Sequence, residues 1–329
     1  MSPHSQMAFG QKTVTTSEGT SEAMPQNKTV GNYDAPALSS GMVRANTGQQ
    51  FKLAAIDLDG TLLGHDGQIS AANRQAVRRL QNAGLEVALA SGRHYENMRR
   101  YAEALGVQWL VSSQGGELSD LNRTVVLTAD FLPAARVAEI SDLAAARGFT
   151  TLGYGIDGVF TNASWNSEMD FYAQFTSYRP HHRSPADFAK LQLFKLIWMG
   201  AALDLDQAVQ AGLVNPAQVQ VVRTHAKFLE FMPVGVTKAS ALKLLAARLG
   251  VQPAEAITFG DGDNDVPMLE WAGLSVAMAH GWPAALQKAT YVSPAGPSDS
   301  ALARAVDLLF DKKHIVEAGV GTATTDQVA

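Results

Sequence analysis

Two aspartates separated by one residue close a short apolar run. Asp57 and Asp59, in Asp57-Leu58-Asp59-Gly60-Thr61, follow directly on Phe51–Ile56. Ligands in open parallel sheets bind beyond the carboxyl ends of strands, and Gly60 permits a sharp turn there. Three more polar loops stand in the same place. Ser91-Gly92-Arg93 follows Leu85–Ala90, Ser112-Ser113-Gln114-Gly115-Gly116 follows Trp109–Val111, and Gly260-Asp261-Gly262-Asp263-Asn264-Asp265 follows Ala256–Phe259. Carboxylates gathered in one cleft repel one another unless a cation lies between them. An all-oxygen donor set favours a hard ion, and Mg²⁺ fits best. A carboxylate nucleophile attacking phosphorus needs neutralised phosphoryl oxygens. Mg²⁺, the Lys238 ammonium, the Ser91 hydroxyl and backbone N–H groups would supply this. Singly, each loop also reads as a plain turn. The Asp261–Asp265 run is not a calcium loop of the EF-hand type, because its twelfth position is Ala272 rather than glutamate.

The elements that must position these loops alternate. Phe51–Ile56, Leu85–Ala90 and Trp109–Ser112 have strand character. Between them lie a helix capped by Ser70 and running through Asn82, and a helix over Tyr95–Leu105 ending at Gly106. The rhythm returns late, with a helix over Lys238–Leu249, a strand over Ala256–Phe259, a helix from about Asn264 to Trp271 with Pro267 in its first turn, a strand over Leu274–Ala277, and a helix over Ser300–Phe310. This pattern predicts an α/β fold, a doubly wound parallel sheet with helices on both faces. Residues 50–132 and 234–312 form this core. Residues 133–233 read as an inserted α+β cap, with a helix over Ala134–Arg147 and strand-like Thr150–Tyr154, Val159–Thr161, Leu193–Met199 and Val219–Val222. Residues 1–49 and 313–329 are polar and aperiodic and are expected to be disordered tails, with Met42 a candidate start.

Charge and composition narrow the partners. The 329 residues carry a net charge of −5, so neither nucleic acid nor an anionic membrane is an expected partner. There are no cysteines, which removes disulfides, thiol nucleophiles and cysteine-ligated metals. No apolar run reaches membrane-spanning length. The N-terminus lacks a secretory pattern, and a cytoplasmic location is expected. The expected partner is a small-molecule phosphate ester, with the chain a monomer or small homo-oligomer.

The motifs resemble those of the haloacid dehalogenase (HAD) superfamily. Asp57–Leu63 is similar to its first motif, Ser91-Gly92-Arg93 to its second, Lys238 to its third and Gly260–Asp265 to its fourth. The stretches Ala90–Arg93, Gly235–Leu242 and Gly260–Leu269 most resemble the Cof-type, sugar-phosphatase-like branch. That branch carries its cap between the second and third motifs, where this chain has 144 residues. The resemblance implies a Mg²⁺-dependent phosphatase in which Asp57 attacks phosphorus. Asp59 would protonate the leaving oxygen and then activate water. Mg²⁺ would be held by the Asp57 carboxylate, the Asp59 backbone carbonyl and Asp261, with Asp265 supporting it. Ser91, Gly92, Lys238 and Asn264 would hold the phosphoryl group, and sugar phosphates are the leading substrate class. A phosphomutase or a non-catalytic sensor of a phosphorylated metabolite are the alternatives. Three positions depart from the usual pattern, at Ala239, at Gln114-Gly115-Gly116 and at Ala277–Gly281.

Within the cap, His181-His182-Arg183 reads as a solvated loop in preference to an anion-binding patch, and Lys195 as a strand lysine facing water in preference to one that reaches a substrate. Trp165, Tyr172 and Tyr178 either line a substrate pocket or pack the cap.

Overall fold

The computed structural model describes residues 50–215, 217–312 and 315. The two polar tails, residues 1–49 and 313–329, and the Met42 start fall outside the described residues, except for Ile315.

Short runs rich in Leu, Ile, Val and Ala build an eight-stranded sheet. Its order is Tyr291–Val292, Leu274–Ala277, Ala256–Gly260, Leu53–Ile56, Glu86–Ala90, Trp109–Ser112, Glu117–Asp120, Val126–Ala129. The first six strands are parallel, and the last two join antiparallel. The strand Leu53–Ile56 is buried throughout, because helices cover both faces. Its Ala54 and Ile56 pack with Val77, Met98 and Val306 of the helices Ala71–Asn82, Tyr95–Leu105 and Ala301–Asp311. Leu53 and Ala55 turn the other way, onto Leu242 and Met268 of the helices Lys238–Leu249 and Val266–Trp271. This alternation is the period of a strand, and the doubly wound sheet is as expected.

Cap residues decide where the helices begin. The Ser70 hydroxyl accepts from the Asn73 N–H, a contact worth about 1 kcal/mol. Thr237 and Ser240 form a reciprocal capping box, which fixes the start of the helix that carries Lys238. The helix expected from about Asn264 begins at Val266 instead, after a 3-10 turn over Asp263–Asp265. Pro267 lies in its first turn, as expected.

A second, six-stranded sheet lies in the chain between Ala129 and Lys238. Its order is Gln220–His225, Phe228–Met232, Leu193–Met199, Thr150–Gly155, Gly158–Thr161, His181–His182. One face packs on helices Ala134–Arg147 and Ala202–Gln210 through Ile140, Leu205, Leu196 and Trp198. The other buries Tyr154, Ile197 and Met199 against Met169 and Tyr172 of the helix Ser167–Thr176. The hydrophobic pattern of that helix is weak, and it was not expected. Neither was the hairpin Glu117–Asp120/Val126–Ala129.

Three expectations for this region need correction or completion. Lys195 does not face water. It is 1% exposed, because period-2 alternation puts it on the buried Ile197 and Met199 face, and its Nζ reaches the Gly92 carbonyl at 2.6 Å. His181 and His182 are exposed, yet they form a short edge strand, not a loop, paired to Phe160 and Thr161. Tyr172 packs the interior, its hydroxyl donating to that of Tyr154 at 2.9 Å.

Buried ties join the two sheets. His94 caps the helix Tyr95–Leu105, its Nδ1 accepting from the Glu96 N–H, and its Nε2 donates to the Gly155 carbonyl at 2.6 Å. Burial lowers its pKa to about 4, so it makes both bonds as the neutral ring. Arg123 donates to the Ile156 carbonyl and forms a bidentate pair with Glu117.

Candidate active site

Four loops meet at the carboxyl edge of the parallel strands, and one cleft runs between them and the second sheet. Asp57, Asp59, Ser91, Gly92, Asp261 and Asn264 all line it. Lys238 and Asp265 lie behind its floor, 0% and 1% exposed.

The floor is a charge cluster. Lys238 Nζ donates to Asp57 Oδ1 and Asp265 Oδ1, both at 2.6 Å. Among the described residues no hydrogen bond reaches Asp57 Oδ2. Asp265 Oδ2 accepts from the N–H groups of Asp261 and Gly262, each at 2.9 Å, so this carboxylate staples its own loop. Thr61 Oγ1 donates to Asp261 Oδ1 at 3.3 Å. Gly60 has φ +82°, and a Cβ there would overlap the Asp261 carboxylate, so only glycine lets these two loops close.

Carboxylate oxygens of Asp57, Asp261 and Asp265 lie within 4.8 Å of one another. Lys238 alone does not neutralise three carboxylates, two of them buried and Asp261 half-buried. Burial, with Asp265 adding to it, pushes the Asp57 carboxyl well up despite Lys238. The same two causes raise Asp261 to about 7. Burial alone would lower the Lys238 ammonium, and Asp265 and Asp57 outweigh it and raise it. The cluster is therefore short of positive charge, and its all-oxygen donor set suits a hard divalent cation.

The Asp59 carboxylate is turned away from this cluster. It accepts from Arg93 Nε at 2.8 Å and Nη2 at 2.6 Å, while its side chain stays 42% exposed. A group so placed is reachable from the cleft. Any bond from Asp59 to a cation in the cluster would come through its backbone. Ser91 Oγ accepts from the Arg93 N–H at 3.2 Å, holding the loop tight.

The opposite wall is a polar relay. Asn264 Nδ2 donates to Gln114 Oε1 at 3.1 Å, and Gln114 Nε2 donates to Glu230 Oε2 at 3.2 Å. Lys195 Nζ donates to Glu230 Oε1 at 2.8 Å and to the Gly92 carbonyl at 2.6 Å. Burial lowers the Lys195 ammonium, and Glu230 offsets only part of that. A buried ion pair of the second sheet thus grips the loop that carries Ser91 and Gly92. Neither Lys195 nor Glu230 was expected here. The signal was present: each is the one charged residue in an apolar strand, in Leu193–Met199 and Phe228–Met232, and such a residue is rarely buried without a partner. In the sequence Arg93 belongs to the second motif and Gln114 marks a departure from the family pattern, and neither carries an expected side-chain role. Trp165, Tyr172 and Tyr178 do not line the cleft, whereas Tyr154, Phe175, His225 and Phe228 do.

A family model for haloacid dehalogenase-like hydrolases matches residues 54–306. The chain belongs to this family. An HMP-PP phosphatase of Serratia proteamaculans is 30% identical to this hydrolase over 243 residues, which are 71% of this chain and 85% of that protein. A 5-amino-6-(5-phospho-D-ribitylamino)uracil phosphatase of Bacillus subtilis is 26% identical over 250 residues, 76% of this chain and 92% of that one. A crystal structure of a haloacid dehalogenase-like hydrolase from Bacteroides thetaiotaomicron superposes with a TM-score of 0.70 at 28% identity, covering 79% of this chain and 100% of the other. The haloacid dehalogenase-like hydrolase described here is accordingly an enzyme, a phosphatase of that superfamily, in its Cof-type branch.

Proposed function

We propose that this phosphatase hydrolyses small phosphomonoesters with Mg²⁺, through a phosphoryl group carried on Asp57. The observation that supports this most is the Lys238 bridge. It pins Asp57 Oδ1 at 2.6 Å and leaves the other oxygen open to the cleft. That oxygen attacks phosphorus, an Asp57 O–P bond forms, and the bond from phosphorus to the leaving oxygen breaks. Asp59 gives the leaving oxygen a proton. As a carboxylate it then takes a proton from the water that attacks the aspartyl-phosphate, freeing inorganic phosphate and Asp57. Arg93 sets where Asp59 waits at the cleft wall. Ser91, Gly92 and Asn264 hold the phosphoryl oxygens, and Lys238 offsets charge at the reacting carboxylate. Asp57 and Asp261, with the Asp59 backbone carbonyl, would hold Mg²⁺, with Asp265 supporting it from nearby, and the bound ion would offset negative charge on the phosphoryl group. Both relatives named above are phosphatases of small molecules, one of a phosphate borne on a ribityl chain. That agrees with sugar-phosphate-like substrates.

Phosphate release from a panel of phosphomonoesters, with and without Mg²⁺, tests this reading. Metal-dependent release of free phosphate is the expected result. An isomerised product without phosphate would identify a phosphomutase, and no turnover of any ester would leave a binding protein.

The metal site has a pH signature. Mg²⁺ binds ionised carboxylates, and Asp261 titrates near 7. Above that value the metal meets a carboxylate, and below it must displace a proton. The folded pKa is raised, so the metal-free protein gains stability as pH falls through 7, while Mg²⁺ adds more above it. The rise in Tm on adding Mg²⁺ should be larger at pH 8 than at pH 6. Equal rises would contradict a role for Asp261 as ligand.

A further inference from the structure

The cleft has more aromatic surface than a phosphate site needs. The helix Ser167–Thr176 buries Met169 and Tyr172 inward but leaves Phe175, in its last turn, 42% exposed. Phe175 is not isolated. Its ring centroid lies 5.5 Å from that of His225 and 5.9 Å from that of Phe228, and Phe171 stacks behind it at 5.9 Å and 13°. His225 and Phe228 are themselves 5.0 Å apart. These rings form one continuous shelf, and Phe175, His225 and Phe228 line the cleft that also holds Asp57 and Asp59.

The first sheet offers a second exposed ring to the same cleft. Trp282 is 39% exposed. Its backbone N–H donates to the Asp261 carbonyl at 2.7 Å, so its position is tied to the loop of the charge cluster. Gly281 precedes it, and a Cβ there would crowd the Asp261 backbone. The chain comes in close at this point and presents an indole at the mouth.

Large aromatic side chains left in water on both sides of one cleft forgo burial that the fold could otherwise use. A flat group between them would recover it. Two cations flank the shelf and both have acidic partners: Lys227 Nζ lies 4.9 Å over the Phe171 ring and pairs with Glu168 at 3.2 Å, and Arg223, which lines the same cleft, pairs with Asp206 at 3.3 Å. His225 Nδ1 accepts from the Lys227 N–H at 3.1 Å, and burial lowers the imidazole, so the ring sits neutral at pH 7. The buried Glu230 carboxylate beside it already has Lys195, Gln114 and Thr224 as partners. The exposed faces of Phe175 and Trp282 suit a planar group.

We propose that Phe175, His225, Phe228 and Trp282 form a ring-binding subsite, and that the preferred substrates are phosphomonoesters whose leaving group carries an aromatic or heteroaromatic ring. This rests on the phosphatase reading above and narrows its substrate class from small esters in general.

Matched pairs of esters test it. Uridine 5′-monophosphate and ribose 5-phosphate share the phosphorylated ribose and differ by the ring. Benzyl phosphate and ethyl phosphate do the same with a shorter spacer. In at least one pair kcat/KM should favour the ring by about tenfold or more, the scale expected for stacking and burial of one ring. In Phe175→Ala and in Trp282→Ala that ratio should fall toward about one. Both positions are exposed, and a melting curve for each variant checks that it folds. Ratios below about twofold in both pairs, or ratios that survive both substitutions, overturn the subsite. Ringless esters turned over as fast as ringed ones would remove the subsite and leave the phosphatase reading standing. No phosphate from any ester would remove both.

Discussion

Asp57→Asn lowers kcat by at least about 10⁴-fold while the protein stays folded, the scale seen when a covalent nucleophile is removed from an otherwise intact site. The substitution keeps shape and removes charge. Asparagine does not attack phosphorus, and no neighbour can replace it. Asp59 is held by Arg93, and Asp265 has both oxygens engaged by Lys238 and by the Asp261 and Gly262 N–H groups. Asp261 belongs to the cluster that would hold the metal. Stability should move the other way. Burial already raises the Asp57 carboxyl well above its ordinary value, so its charge opposes folding at pH 7. Lys238 keeps Asp265 as its partner in the variant. The expected Tm is therefore equal to or above that of the wild type, measured without metal. Activity near the wild-type level would contradict Asp57 as nucleophile. A collapse in Tm would show that the lost rate reflects unfolding.

Lys238→Met should damage both properties. Lys238 is fully buried between Asp57 and Asp265, with Asp261 close by. Its folded pKa is raised, so its contribution is complete at any pH below the ordinary lysine range and is not lost until well above it. Removing one partner of a buried ion pair costs about 3–5 kcal/mol, because the other charge stays buried. For a chain of this size that lowers Tm by roughly 5–15 °C. Carboxylates can escape the penalty by taking protons, so the loss should be larger at pH 8 than at pH 6. Mg²⁺ should restore part of it. Rate should fall by about 10³-fold or more, since the same ammonium offsets charge in the reacting cluster. A variant within roughly 2 °C of the wild type and fully active would contradict this assignment.

The features legible in the sequence are those written locally. Ser70, Thr237, Gly106 and Gly250 bracket helices within a residue or so of where they stand, because capping depends on near neighbours. The core strands read as apolar runs because both their faces are covered. The four loops at one sheet edge followed from those two facts. What escaped depends on register and partner choice. Lys195 is buried and reaches the Gly92 carbonyl because of its position in Leu193–Met199, and it meets Glu230 because the neighbouring strand pairs Glu230 with Ile197. A run such as Leu-Phe-Lys-Leu-Ile-Trp-Met announces a buried lysine but does not say which acid answers it.

Gln114 makes the same point at a departure from the family pattern. The residue sits at φ +64°, and its amide reaches both Asn264 and Glu230. Its role is to join the Asn264 loop to the second sheet, which a motif comparison of single positions does not reveal. Arg93 completes the second motif, and its guanidinium positions Asp59 from 34 residues away.

Trapping the phosphorylated enzyme tests the central claim most directly. Asp59→Asn keeps the nucleophile and removes both the acid and the base, so the substrate must be a phosphomonoester whose leaving group departs without a proton, such as p-nitrophenyl phosphate. Mixed with Mg²⁺ and such an ester and quenched in acid, the variant should gain one phosphoryl group. Peptide mass spectrometry should place it on Asp57. The same treatment of an Asp57→Asn, Asp59→Asn double variant should leave the chain unmodified. A phosphoryl group on another residue, or turnover by Asp59→Asn at the wild-type rate with no modified chain, would contradict the aspartyl-phosphate route.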